Sequence, residues 1–63
     1  MINKSLETLL HYLEKMTIFE IYGFGKLVGA EEAPKFEDYI TNILVCYNDM
    51  PRKMRREILA LAK

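Results

Sequence analysis

Cysteine is nearly absent from this chain: Cys46 is the only one in 63 residues. A single thiol closes no internal disulfide, and zinc schemes built on four cysteines are excluded. Such cysteine usage suits a reducing, intracellular setting. Histidine is equally scarce, with His11 alone, so a metal site of several imidazoles would need more than one copy of the chain. Long hydrophobic runs are also lacking. No uninterrupted apolar stretch approaches the roughly 18 residues needed to cross a bilayer. The opening MINKSLETLL places an acidic residue inside the would-be hydrophobic region, which makes it a poor signal peptide. A cytoplasmic location without membrane attachment is the expectation.

Net charge is missing as well, because nine basic residues balance nine acidic ones. A dedicated nucleic-acid binder of this size is usually strongly basic, so only a local patch could take that role. Zero net charge also removes long-range repulsion between copies, which leaves room for a homodimer or another protein partner. Hydrophobic residues make up 51% of the chain and charged residues 29%, proportions of a folded domain rather than a disordered segment. One small domain of this kind buries only about 60% of its unfolded surface. It gains stability from unusually good helix packing or from a partner.

Apolar spacing assigns the elements. Ile2, Leu6, Leu9, Leu10, Leu13 and Met16 fall on one side of a helix over about residues 3–16, with Asn3 or Ser5 as its cap. Residues 17–29, TIFEIYGFGKLVG, are harder, because their β-branched and aromatic residues favour strands and a hairpin around Gly23–Gly25 competes. Apolar and polar residues do not alternate there, however, and Thr17 followed by Glu20 has the spacing of a capping box. A short helix over 18–28 ending at Gly29 is the preferred reading, with Ile21, Phe24, Leu27 and Val28 as its apolar arc and Ile18 and Gly25 at one edge. Gly23 and Gly25 each cost about 0.8–1 kcal/mol relative to alanine inside a helix. Close approach of a neighbouring backbone is the expected compensation.

Pro34 suits the first turn of a third helix over 34–48, whose line is Phe36, Ile40, Ile43 and Tyr47 with Tyr39 and Leu44 beside it. Asp49 is placed to cap a fourth helix over 51–62, with Pro51 in its first turn and Met50, Met54, Ile58 and Leu61 facing inward. The fold predicted is all-α: a compact four-helix domain whose second helix is short and contains glycine.

No catalytic constellation emerges, so an enzyme is not expected, and neither is a cofactor. The GFGK stretch lacks the spacing of a P-loop and the third glycine of a dinucleotide fingerprint. Glu31, Glu32, Glu37 and Asp38 lack EF-hand spacing and read as helix-start electrostatics. A helix-turn-helix is disfavoured because its reading helix would begin EEAPKFED and set carboxylates against phosphates. His11, between Glu7 and Glu14, reads as a surface histidine, and Cys46 as a small buried hydrophobe.

Two features remain. Phe19 and Val45 fall on the polar sides of their helices and Tyr12 borders its stripe, which makes these three the candidate partner-binding residues. The closing segment MPRKMRREILALAK gathers four of the nine basic residues within five positions. Arg52, Arg56 and Lys63 form a strip with Arg55 beside it. That strip serves as a solvated face, as the complement of the acidic segment of helix three within one chain or between copies, or as a grip on phosphates. Together these features point to a small intracellular protein–protein interaction or regulatory module, with a homodimer as one form and a nucleic-acid-binding accessory protein as the alternative.

Overall fold

A computed structural model of the chain describes residues 4–62. It holds four helices, α1 (Lys4–Lys15), α2 (Ile18–Val28), α3 (Phe36–Asp49) and α4 (Arg52–Ala62), and no strand among the described residues. The all-α, four-helix architecture read from the sequence is therefore present, and residues 18–28 are helix rather than hairpin. Ile2, Asn3 and Lys63 lie outside the described residues. Ser5 falls within α1, so it does not precede the helix as a cap.

Local chemistry sets both ends of α2. Thr17 N–H donates to Glu20 Oε1 at 2.9 Å and Glu20 N–H donates to Thr17 Oγ1 at 3.2 Å, the two halves of a capping box. At the other end Gly29 adopts φ 77°, a left-handed conformation that side chains resist. Its N–H reaches Lys26 O at 3.2 Å and Ala30 N–H reaches Gly25 O at 2.9 Å, which closes a Schellman motif.

The core gathers Leu9 and Leu13 of α1, Ile21, Phe24 and Val28 of α2, Tyr39, Ile43 and Tyr47 of α3, and Ile58 of α4. Its tightest joint lies between α2 and α3. Tyr39 is wholly buried, and a Cβ built on Gly25 would fall onto its hydroxyl and 2.5 Å from its Cζ. The phenol donates to Tyr22 O at 3.1 Å, and the ring stacks on that of Tyr22 with centroids 4.7 Å apart. Close approach thus explains Gly25, but the intruder is a tyrosine ring and not a backbone. The same explanation fails for Gly23, which is exposed and has nothing within 4 Å of where its Cβ would stand.

Tyr39 also corrects the expected phase of α3. The inward line is Tyr39, Ile43 and Tyr47, while Phe36 is partly exposed and packs its ring 6.0 Å from that of Tyr22. On α2, Ile18 and Leu27 are exposed where the apolar arc placed them at the core, since the buried face centres on Ile21, Phe24, Gly25 and Val28. On α4, Met54 and Leu61 point outward, and the inward positions are Ile58, Leu59 and the stem of Arg55. Arg55 sets this phase: its Nη1 donates to Met50 O at 2.9 Å and contacts Asn48 O at 3.5 Å, and its guanidinium lies 6.0 Å from the Tyr47 ring centroid. Helix boundaries shift for related reasons. Pro34 lies upstream of α3, whose N-cap is the extended Lys35, while Asn42 Nδ2 donates to Glu31 O at 3.0 Å and straps the connector to the helix. Asp49 is the last residue of α3 rather than a cap, and Pro51 precedes α4, its carbonyl accepting from Arg55 N–H at 3.0 Å.

The two α2 glycines should respond oppositely to the same substitution. In the isolated monomer, Gly23→Ala should stabilise the fold by about 0.8–1 kcal/mol through helix propensity. Gly25→Ala should destabilise it by about 1–3 kcal/mol, because the added methyl must displace a pinned ring. Urea midpoints moving in the same direction for both variants would contradict the Tyr39 contact. The capping box predicts an acid-sensitive term. Bonds from the Thr17 backbone and then its side chain hold the Glu20 carboxyl below its ordinary value of 4.5. The unfolded chain then binds more protons through that range, so this stabilisation is present above it and is lost as pH falls through the lowered value. Glu20→Gln keeps an acceptor for Thr17 N–H and should flatten that part of the acid limb in denaturation followed by circular dichroism.

Candidate functional site

Three surfaces are built by this packing. The first is the outer face of α2. Because Ile21, Phe24, Gly25 and Val28 face the core, the helical period turns Phe19, Glu20, Gly23, Lys26 and Leu27 to solvent. Phe19 is 88% exposed and Leu27 52%. Leu27 also lines a shallow groove of about 280 Å³ with Met16, Glu20, Gly23 and Phe24, which Phe19 does not enter. An exposed phenylalanine alone is ordinary. A phenylalanine aligned with an exposed helical glycine and an exposed leucine forms a continuous apolar ridge with a dip at its centre.

The second surface surrounds Val45, which is 55% exposed on the outer side of α3. It lines a groove with Gly29, Glu31, Asn42 and Cys46. Cys46 is half-buried rather than enclosed, and its thiol lies 3.9 Å from Gly29 O. Phe19 and Val45 therefore do not form one patch: Phe19 stands near the start of α2 and Val45 beside Gly29 at its end, a separation of about 15 Å along the helix. Tyr12 belongs to neither. It is half-buried and lies near Tyr47, whose phenol is raised by burial, opposed by the nearby Arg55 and raised further by Tyr12.

The third surface is a cleft of about 510 Å³ between α1 and α4, lined by Lys4, Thr8, Tyr47, Arg52, Arg55, Arg56 and Leu59. The basic strip of α4 is thus joined by a lysine from the far end of the sequence. Nothing in the sequence marks Lys4 or Thr8, because which face of α1 meets α4 is a tertiary outcome. Arg55 differs from its neighbours: half-buried and bonded to the carbonyls of Met50, the C-cap of α3, and Asn48, it is a helix-terminating clamp first. Arg52 and Arg56 are exposed. The acidic first turn of α3, Glu37 and Asp38, is separated from Arg55 by about 15 Å of helix, so the two charges do not pair along α3.

Among the described residues, no cluster of three histidine, cysteine, aspartate or glutamate side chains is arranged to hold a metal, and no helix is long and apolar enough to cross a membrane. Comparison of the chain with protein-family models, with curated proteins and with solved structures finds no match.

Proposed function

We propose that this chain is a small intracellular interaction module, not an enzyme, and that it acts through the outer face of α2. The observation that carries the proposal is the arrangement of that face about Gly23. Phe19 and Leu27 stand four residues to either side, and Glu20 and Lys26 three to either side. All four lie within roughly 60° of Gly23 around the helix. A second copy related by a half turn about an axis perpendicular to α2 at the level of Gly23 runs antiparallel to the first, with Phe19 at the height of the partner's Leu27 across the seam. The apolar ridge meets its own copy across the seam, and one glutamate and one lysine leave the face without net charge.

Gly23 then has a role that the monomer does not give it. With nothing within 4 Å of where its Cβ would stand, it lowers helix stability by about 0.8–1 kcal/mol relative to alanine. In an antiparallel pair it is the point where two helix backbones approach most closely. The apolar contacts supply affinity, as buried aromatic anchors do in interfaces generally. Glu20 and Lys26 flank the seam at exposed positions and contribute little energy. Val45 and Tyr12 lie outside this face and are not needed for it. Zero net charge lets two copies approach without long-range opposition.

Light scattering across protein concentration should find a dimer whose mass changes little between low and high salt. Phe19→Glu should raise the dissociation constant at least about thirtyfold, in keeping with an anchor worth about 2 kcal/mol, while far-UV dichroism stays that of the monomer. A Gly23→Cys variant in a Cys46→Ser background should crosslink on mild oxidation, since a half turn about Gly23 brings the two thiols within disulfide reach. A monomer at every concentration would reject self-pairing. A dimer that neither responds to Phe19→Glu nor crosslinks would place the interface elsewhere.

A further inference from the structure

The cleft between α1 and α4 is a separate feature, and the α2 dimer makes no use of it. It draws positive charge from both ends of the sequence: Lys4 from α1, and Arg52, Arg55 and Arg56 from α4. Among the described residues no carboxylate lines it. Like charges gathered without counter-charges repel, and a domain this small has little stability to spare for that. The start of α4 adds the positive end of its helix dipole to the same place.

We infer that this cleft binds the phosphodiester backbone of a nucleic acid. Four cations line an open cleft instead of an enclosed pocket, which suits the phosphates of a polymer better than one small anion. Three of the four are arginines, whose planar forks match phosphate oxygens. Arg55 is already fixed by its bond to Met50 O and its place beside the Tyr47 ring. With five N–H donors, it has others left for the cleft. Thr8 lines the same wall, although its hydroxyl bonds to Lys4 O at 3.1 Å within α1.

An acidic peptide is the competing occupant, and the floor of the cleft decides against it. Peptide affinity rests on apolar anchors seated in pockets. Here Tyr47 is buried beneath Arg55, which leaves the half-buried Leu59 as the main apolar footing. Nucleic-acid affinity needs no such footing, because release of counterions from phosphates supplies most of it. Base edges are not read by this surface, so binding is indifferent to sequence.

The test is fluorescence anisotropy of a short labelled DNA duplex with the full chain over a salt series. Four phosphate contacts predict about a hundredfold loss of affinity between roughly 50 and 200 mM salt. Arg52→Ala with Arg56→Ala should reduce that loss to about tenfold by removing two contacts. Lys4→Ala should reduce it by one contact's share, and this variant separates the two-helix cleft from a basic face on α4 alone. Arg55 is left unchanged because it also closes α3, and circular dichroism of each variant checks that the helices persist. The Phe19→Glu variant should retain the salt dependence per chain, which keeps this result distinguishable from failure of the α2 interface. Polyglutamate competing as effectively as unlabelled DNA at equal charge would overturn the inference in favour of an acidic protein segment. Salt-independent binding, or binding unaffected by the Arg52/Arg56 and Lys4 substitutions, would overturn it outright.

Discussion

The fit of the Tyr39 ring against Gly25 is the contact on which the other surfaces depend. A tyrosine packed this closely leaves α2 and α3 one relative placement, because the ring is held on three sides. Its hydroxyl bonds to Tyr22 O, its face stacks on Tyr22, and its edge fills the space where any side chain at residue 25 would stand. The bond and the stack each contribute on the order of 1 kcal/mol. Their larger effect is on phase. Once Gly25 faces α3, the period of an α-helix directs Phe19, Gly23 and Leu27 away from the core. The ridge at the outer face of α2 is thus a geometric consequence of the joint on its inner face.

The same ring fixes α3, and α3 in turn positions α4. With Tyr39 inward, Ile43 and Tyr47 follow at intervals of four residues, which brings Tyr47 to the end of the helix where Arg55 can lie beside it. Arg55 then bonds the carbonyls of Met50 and Asn48 at the end of α3 and turns Ile58 into the core. That leaves Met54 and Leu61 outside and sets Arg52 and Arg56 along the α1 side. Burial holds α4 only weakly, since Ile58 is its one buried residue among the described residues. A charged clamp supplies orientation where apolar area is scarce.

What the sequence makes legible follows from the range of the forces involved. Thr17, Glu20 and Gly29 act within one turn of their own helix, so their spacing alone announces where α2 begins and ends. The four-helix architecture is legible for the same reason, since amphipathic period is a local property. The phases of α3 and α4 are less so. Phe36 and Tyr39 lie on neighbouring rows of one helix, and the choice between them is made by a glycine in another element. Met54 fits the inward row of α4 by hydropathy, but a polar bond made by Arg55 outranks that preference. The exposure of Phe19 and Val45 could be read from their polar surroundings, whereas their separation onto different surfaces required the packing of α2 on α3. Lys4 is invisible as a site residue because it is distant in sequence from every cation it joins.

Zero net charge conceals a polar molecule. Glu37 and Asp38 open α3 and Arg55 lies at its close, and about 15 Å of rigid helix between them exceeds the screening length of roughly 8 Å at physiological salt. Charges held that far apart do not neutralise one another, so each end presents its own field to whatever approaches. The outer face of α2 stands apart from this division, since its charges are one glutamate and one lysine that sum to zero. An apolar, locally neutral face suits pairing with a like surface, where any unbalanced charge would be doubled by symmetry. An unbalanced basic cleft suits the opposite case, a polymer that brings its own counter-charge in regular succession. The segregation of charge along α3 therefore allows one small fold to carry two surfaces that do not compete for the same partner.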